Sequence, residues 1–187
     1  MSIRIEGKNI IVRDIREENI SSCIETRKIN EASFLNQVES DEKSKEWLRI
    51  HRQLENDIIL EIDLKTENYF IGTIGFTIQN QLAEVGRLSQ YTKAIKQLIH
   101  ADVPANILHN LFYEACMLVV EYLFVERRVN VVYCNVLRGN YFSNALCQRM
   151  GGIPEEKIIL LENDKNTRVI HYKIKRSDYF YERCNHK

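Results

Sequence analysis

The spacing of apolar residues changes period once, near Asn56, and this switch is what most limits the folds open to the chain. From there Ile58, Leu60, Ile62 and Leu64 alternate with Ile59, Glu61, Asp63 and Lys65. That is the two-residue repeat of a strand with one face on a core and the other largely wet. Tyr69 to Ile78 reads as a second strand behind the turn-like Lys65-Thr66-Glu67-Asn68, and Leu82 to Ser89 as a third after Gln79-Asn80-Gln81. Three strands in hairpin succession predict an antiparallel meander.

Helical spacing frames this meander on both sides. Ile10 to Arg13 reads as a short strand, and Ile15 to Asn30 as a helix with Ile20, Cys23, Ile24 and Arg27 in phase. A second helix begins at Ser40, with acidic residues in its first turn and Trp47, Leu48 and Leu54 as apolar contacts. After the meander, Pro104 to Phe124 keeps Ile107, Leu108, Leu111, Ala115, Leu118, Val119 and Tyr122 on helical spacing, with Asp102 available as a cap. Arg128 to Val136 is apolar on both alternations, as expected of a strand covered on both faces. A helix from Asn140 to Met150 is stopped by Gly151-Gly152. Ile158 to Leu161 and Val169 to Ile174 close the chain as strands around Asn163-Asp164-Lys165-Asn166. The predicted order is strand, two helices, three strands, helix, strand, helix, two strands.

Composition narrows the function classes. The chain has 187 residues and no Ser/Gly/Pro-rich linker, so a single domain over 1–187 is expected. Lys plus Arg and Asp plus Glu both number 26, which offers no overall field for nucleic acid or an anionic membrane. The Leu108 to Phe124 stretch carries His109, Asn110, Glu114 and Glu121, so no window is expected to cross a bilayer, and the start of the chain has no apolar leader. Five scattered cysteines without C-x-x-C spacing argue against a disulfide framework or a metal site and point to a reducing cytoplasm.

The element order, together with three local patterns, resembles the GNAT acetyltransferases over nearly the whole chain. Ile71-Gly72-Thr73-Ile74-Gly75-Phe76 is similar to the family's third strand, where small residues suit a closely approached backbone. Ala83-Glu84-Val85-Gly86-Arg87-Leu88 is similar to its fourth strand, which splays from a parallel neighbour and offers backbone groups to pantetheine. Asn140, Ser143, Leu146 and Gly151 match the family's helix motif after the buried strand. Asn30 followed by Trp47 resembles the acceptor-covering helices of the branch that acetylates protein N-termini and nucleotide-linked amino sugars. The resemblance implies an α/β (α+β) GNAT fold, with a mixed central sheet of about seven strands and helices on both faces. It also implies acyl transfer from acetyl-CoA to a primary amine of a small molecule or a peptide N-terminus, by a monomer or homodimer.

Glu84, on the strand similar to the family's fourth and beside the acceptor cleft, is the candidate general base, acting directly or through a water; it reads alternatively as an exposed strand-end carboxylate or a partner for Arg87. The resemblance places Arg87, Leu88, Ser89, Ala105, Asn140 and Ser143 against the donor, with the Leu88 N–H facing the oxyanion. Asn140 reads equally well as a simple N-cap. Two departures stand out. His100-Ala101-Asp102-Val103-Pro104-Ala105 replaces the glycine-rich turn that holds the pyrophosphate, and Tyr91 to Ile99 is a long insertion in which Lys93 and Lys96 are substitute phosphate contacts. Cys147 stands where the family has the tyrosine that protonates the thiolate; its thiol is a candidate for that acid, with Tyr141, Tyr133 and Tyr113 as the alternatives, and Cys147 also reads as a small buried hydrophobe. The altered turn leaves two further readings: an acyl carrier protein as donor, docked on Lys93, Lys96, Arg127 and Arg128, or a non-catalytic binding module.

Overall fold

The computed structural model describes residues 2–29, 41–51, 54–101, 103–160 and 166–185. Strands β1 (Arg4–Glu6) and β2 (Ile10–Asp14) form a hairpin, and a 3-10 turn at Glu17–Asn19 leads into helices α1 (Ile20–Ile29) and α2 (Asp41–His51). The expected meander follows as β3 (Asp57–Leu64), β4 (Tyr69–Gln79) and β5 (Leu82–Gln90). Helices α3 (Thr92–His100) and α4 (Ala105–Val125) then cross to β6 (Val131–Leu137). After α5 (Tyr141–Arg149) come β7 (Ile153–Leu160), β8 (Asn166–Lys175) and α6 (Arg176–Asn185). The strands make one mixed sheet in the order β1-β2-β3-β4-β5-β6-β8-β7. All pairs are antiparallel except β5 with β6, the one pair that needs the long helical crossover.

Each face of the sheet has its own apolar layer. Phe112, Ala115, Val119 and Leu123 of α4 pack with Leu60, Ile74, Phe76, Val85 and Val132 into the larger core. On the other face Ile20, Cys23 and Ile24 of α1 and Leu48 of α2 cover Ile59 and Phe70. Helix α4 corrects one expectation. Over Asn106–Val125 it reaches a mean hydropathy of 1.3 and is long and apolar enough to cross a bilayer, yet half of that stretch is buried inside the protein.

Strand β3 departs from its expected wet face, because Glu61 and Asp63 are 0% exposed. Guanidiniums take the place of water there. Glu61 accepts from Arg13 Nε at 2.9 Å, Arg16 Nε at 2.5 Å, the Arg16 backbone N–H at 3.0 Å and Asn19 Nδ2 at 2.9 Å. Asp63 accepts from Arg13 Nη2 and, at 3.0 Å, from Arg16 Nη2. Burial, with the Glu61 charge beside it, pushes the Asp63 carboxyl up to about 6 despite both arginines.

Strand β6 is fully covered on one face only: Val132, Cys134 and Val136 are buried, whereas Val131, Tyr133 and Asn135 are half-buried. The first predicted helix starts later than expected, with Ile15 in the core ahead of the 3-10 turn. Pro104 occupies the N-cap of α4, just before its first turn. Ser40, Asp102 and the turn at 163–165 lie outside the described residues.

Candidate active site

Strands β5 and β6 pair only through Leu82 with Val131, Ala83 with Val132 and Glu84 with Tyr133. Beyond that point β5 runs on to Gln90 and β6 to Leu137 without meeting. The cause lies in β5. Its register against β4 passes from Gly86 opposite Gly75 to Ser89 opposite Thr73, so Ile74 faces both Arg87 and Leu88. Such a bulge bends its strand and increases its twist. Arg87 takes the left-handed conformation at φ 53°, which costs a non-glycine residue about 1 kcal/mol. Meanwhile β6 stays paired with β8 from Val131 to Leu137 and keeps its course. A wedge opens between the two strands, and a Cβ placed on Gly86 would meet nothing within 4 Å.

The glycines of β4 make this bend possible. A Cβ on Gly72 would come within 2.2 Å of the Ser89 carbonyl oxygen and 2.9 Å of the Phe112 ring. One on Gly75 would lie 2.7 Å from the Ile58 carbonyl oxygen. The close approach expected at Gly72 and Gly75 therefore comes from neighbouring strands of the chain itself.

Around the bulge, Arg87 turns to the face under α2. Its guanidinium meets Asp57 at 2.5 Å and Thr77 at 3.3 Å and lies 5.7 Å from the Trp47 ring. Leu88 packs on the α4 core, and buried Ser89 shares a 2.8 Å hydrogen bond with Thr73 Oγ1. Glu84 stands at the base of the wedge, on the face opposite α4. Its bonded partner is Asn135, whose Nδ2 donates to Glu84 Oε1 at 3.0 Å, while Arg87 is committed to Asp57.

The Asn135 contact opens a chain of side chains that sequence reasoning missed. A carboxylate only accepts, so the Asn135 amide is fixed with Nδ2 toward Glu84 and Oδ1 toward His171 Nδ1, 2.8 Å away. Neutral His171 must then carry its proton on Nδ1. The residue is 7% exposed, and its Nε2 has no partner among the described residues. Burial first, then Lys157 and Lys173, hold the imidazole below its ordinary range. Tyr133 stacks on His171 with centroids 5.3 Å apart. Burial and the adjacent Glu84 push the Tyr133 phenol up, so it keeps its proton. The sequence signal for this group was the polar type of Asn135 within an apolar strand and of His171 after Val169 and Ile170.

At the far side of the wedge, Asn140 caps α5 by accepting from the Ser143 N–H at 3.1 Å. Buried Asn144, also unforeseen, pins the preceding turn by donating to the carbonyls of Leu137 at 3.0 Å and Asn140 at 2.7 Å, while accepting from Tyr172 at 2.9 Å. Cys147 is 5% exposed and lies in the α4-side core beside Cys134 and Cys116. The Cys147 contact and burial push the Cys134 thiol up, and burial does the same to Cys116. Tyr141 is 82% exposed, and the Tyr113 ring is covered by the Arg149 guanidinium at 3.8 Å.

The insertion after β5 is helix α3, which braces the wedge from the α1 side. Lys93 pairs with Glu25 of α1 at 2.8 Å, and Tyr69 of β4 bonds Gln97. Helix α4 begins at Ala105 with no side-chain cap and no acidic residue in its first turn, which leaves backbone N–H groups there for an anion. Arg127 sits at the other end of β4, bonded to Asn56, whose carbonyl accepts from Ile78. Lys93 and Arg127 therefore lie toward opposite ends of β4.

No family model matches the chain, and no curated protein matches it in sequence. Solved structures do match. A GNAT-family acetyltransferase from Bacillus anthracis superposes with a TM-score of 0.73 at 15% identity, covering 94% of this chain and 99% of that one. FdhC, a nucleotide-linked sugar GNAT, gives 0.72 at 14% identity over 100% and 97% of the two chains. A ribosomal-protein-S5-alanine acetyltransferase from Vibrio fischeri gives 0.66 at 14% identity over 95% and 98%. The chain has the fold of the GNAT acetyltransferases.

Proposed function

We propose that this protein is an N-acyltransferase that moves acetyl from acetyl-CoA to a primary amine of a small molecule or peptide N-terminus. The observation that carries this reading is the wedge between β5 and β6, where an extended thioester arm can lie as an added strand. The uncapped start of α4 suits the donor's pyrophosphate, with Ala105 at its first position, although no glycine-rich turn precedes it. Along the arm, the Leu88 N–H faces the carbonyl oxygen where charge develops. Glu84, anchored through one oxygen by Asn135, removes the amine proton with the other. Arg87, Ser89, Asn140 and Ser143 hold the walls of the wedge. Four free cysteines among the described residues suit a reducing cytoplasm.

Acetyl-CoA at about 100 times its Kd should stabilise the fold by about 2.7 kcal/mol, read as a thermal shift. Thiol release should then be screened with polyamines, a nucleotide-linked amino sugar and a peptide beginning with alanine. The last two are the acceptor classes that two of the similar structures are named for. Gly86→Phe sharpens the test, because a Cβ at this position meets nothing within 4 Å. Its melting temperature should stay near that of the parent while thiol release falls at least roughly tenfold. An unaltered rate in this variant would move the reaction away from the wedge.

A further inference from the structure

We propose that Tyr133 is the acid that protonates the departing thiolate, working in a closed proton circuit with Glu84; this rests on the acyl-transfer reading above. An arm lying between β5 and β6 must stop where the strands begin to pair, and the last pair is Glu84 with Tyr133. The donor's carbonyl, held at the Leu88 N–H, is thereby directed toward a carboxylate on one strand and a phenol on the other. Both project from the face opposite α4. Among the alternatives, Cys147 is sunk in the α4-side core, Tyr141 stands on the outer surface of α5 and Tyr113 is capped by Arg149.

The surroundings of Tyr133 suit this role. Its neighbours are Glu84 from β5, its own-strand neighbour Asn135, and His171 and Lys173 from β8. His171 stacks on the ring and is itself fixed by Asn135, which also holds Glu84. Acid and base are thus positioned by the same amide.

In the step itself, the amine nitrogen bonds to the acetyl carbon and its proton passes to Glu84. The carbon–sulfur bond breaks with its electron pair on sulfur, which takes the Tyr133 hydroxyl proton. The phenolate recovers a proton from Glu84, and amide and free thiol leave both side chains as they began. The order is built in. While Glu84 is charged it helps hold the phenol proton in place, and once neutralised it no longer does so. Phenol to thiolate is uphill by at least about 1.5 pKa units, since burial raises the phenol above its reference value, and carboxylic acid to phenolate is downhill by more than about 5.

Steady-state thiol release with acetyl-CoA and the fastest amine of the screen tests this in the parent, Tyr133→Phe and Cys147→Ala. Tyr133→Phe should lower kcat by about 10²-fold or more. It should leave the acetyl-CoA thermal shift and KM within about threefold, and should abolish the alkaline limb of the kcat profile. A kcat within threefold of the parent, a retained alkaline limb, a lost acetyl-CoA shift, or a loss confined to Cys147→Ala would each overturn the proposal. If the parent itself neither shifts with acetyl-CoA nor releases thiol, the acyl-transfer reading falls first and this proposal with it.

Discussion

Two carboxylate sites, a buried pair and a single side chain, lie on the same face of the sheet and are built on opposite principles. Glu61 and Asp63 are enclosed by two guanidiniums, so each charge has an opposite charge in contact. Glu84 is half-buried, and its bonded partner is the neutral amide of Asn135. A buried ion network commits its charges to the fold, since removing one member leaves the others without compensation. A carboxylate held by a neutral donor keeps a lone pair for a proton. The difference separates a structural use of acidic side chains from a chemical one, only a few strands apart.

Three substitutions probe that contrast. Glu61→Ala should have the largest effect on the fold, about 3 to 5 kcal/mol of lost stability in denaturant titration, with activity per folded molecule retained. Should it cost under about 1 kcal/mol, the enclosed cluster has no structural role. Glu84→Gln should do the reverse, lowering kcat by about 10² to 10³ while stability changes by less than about 1 kcal/mol. Equal losses of stability at the two sites would erase the distinction.

Asp63→Asn should give the smallest effect, visible as pH dependence. Asp63 titrates near pH 6 in the folded protein against 3.8 as its reference, so the folded state binds more protons between those values. Stability from this group is therefore lost as pH rises from about 4 to about 6, by ~2 kcal/mol. Relative to the parent, Asp63→Asn should gain ground across that window and hold it above. A constant difference from pH 4 to pH 7 would mean that the two guanidiniums outweigh burial.

The meander, the central helix and the capped helix at Asn140 were legible because each rests on local periodicity and turn chemistry. Strand β1 was not, since its three residues include Arg4 and Glu6 and depend on pairing with β2. Helix α3, within the insertion from Tyr91 to Ile99, gives no clear helical signal because it has no capping side chain and buries only Ala94 fully. At Glu61 and Asp63 the alternation was right but its meaning was not. A strand pattern looks the same whether water or a guanidinium covers the acidic face, and Arg13 lies 48 residues from Glu61. The site divides in the same way. Glu84 came from its place in a strand pattern, whereas Asn135 and His171 meet only through the register of β6 on β8.

The bulge of β5 also reverses the parity of the strand. Ala83 and Val85 point inward at odd positions, but after Arg87 it is even-numbered Leu88 that points inward. Deleting Arg87 would restore unbroken alternation from Ala83 to Gln90 and remove the reason for β5 to leave its parallel neighbour. The opening in this sheet is thus the work of a single supernumerary residue, and the flawless strand is the one that would close it.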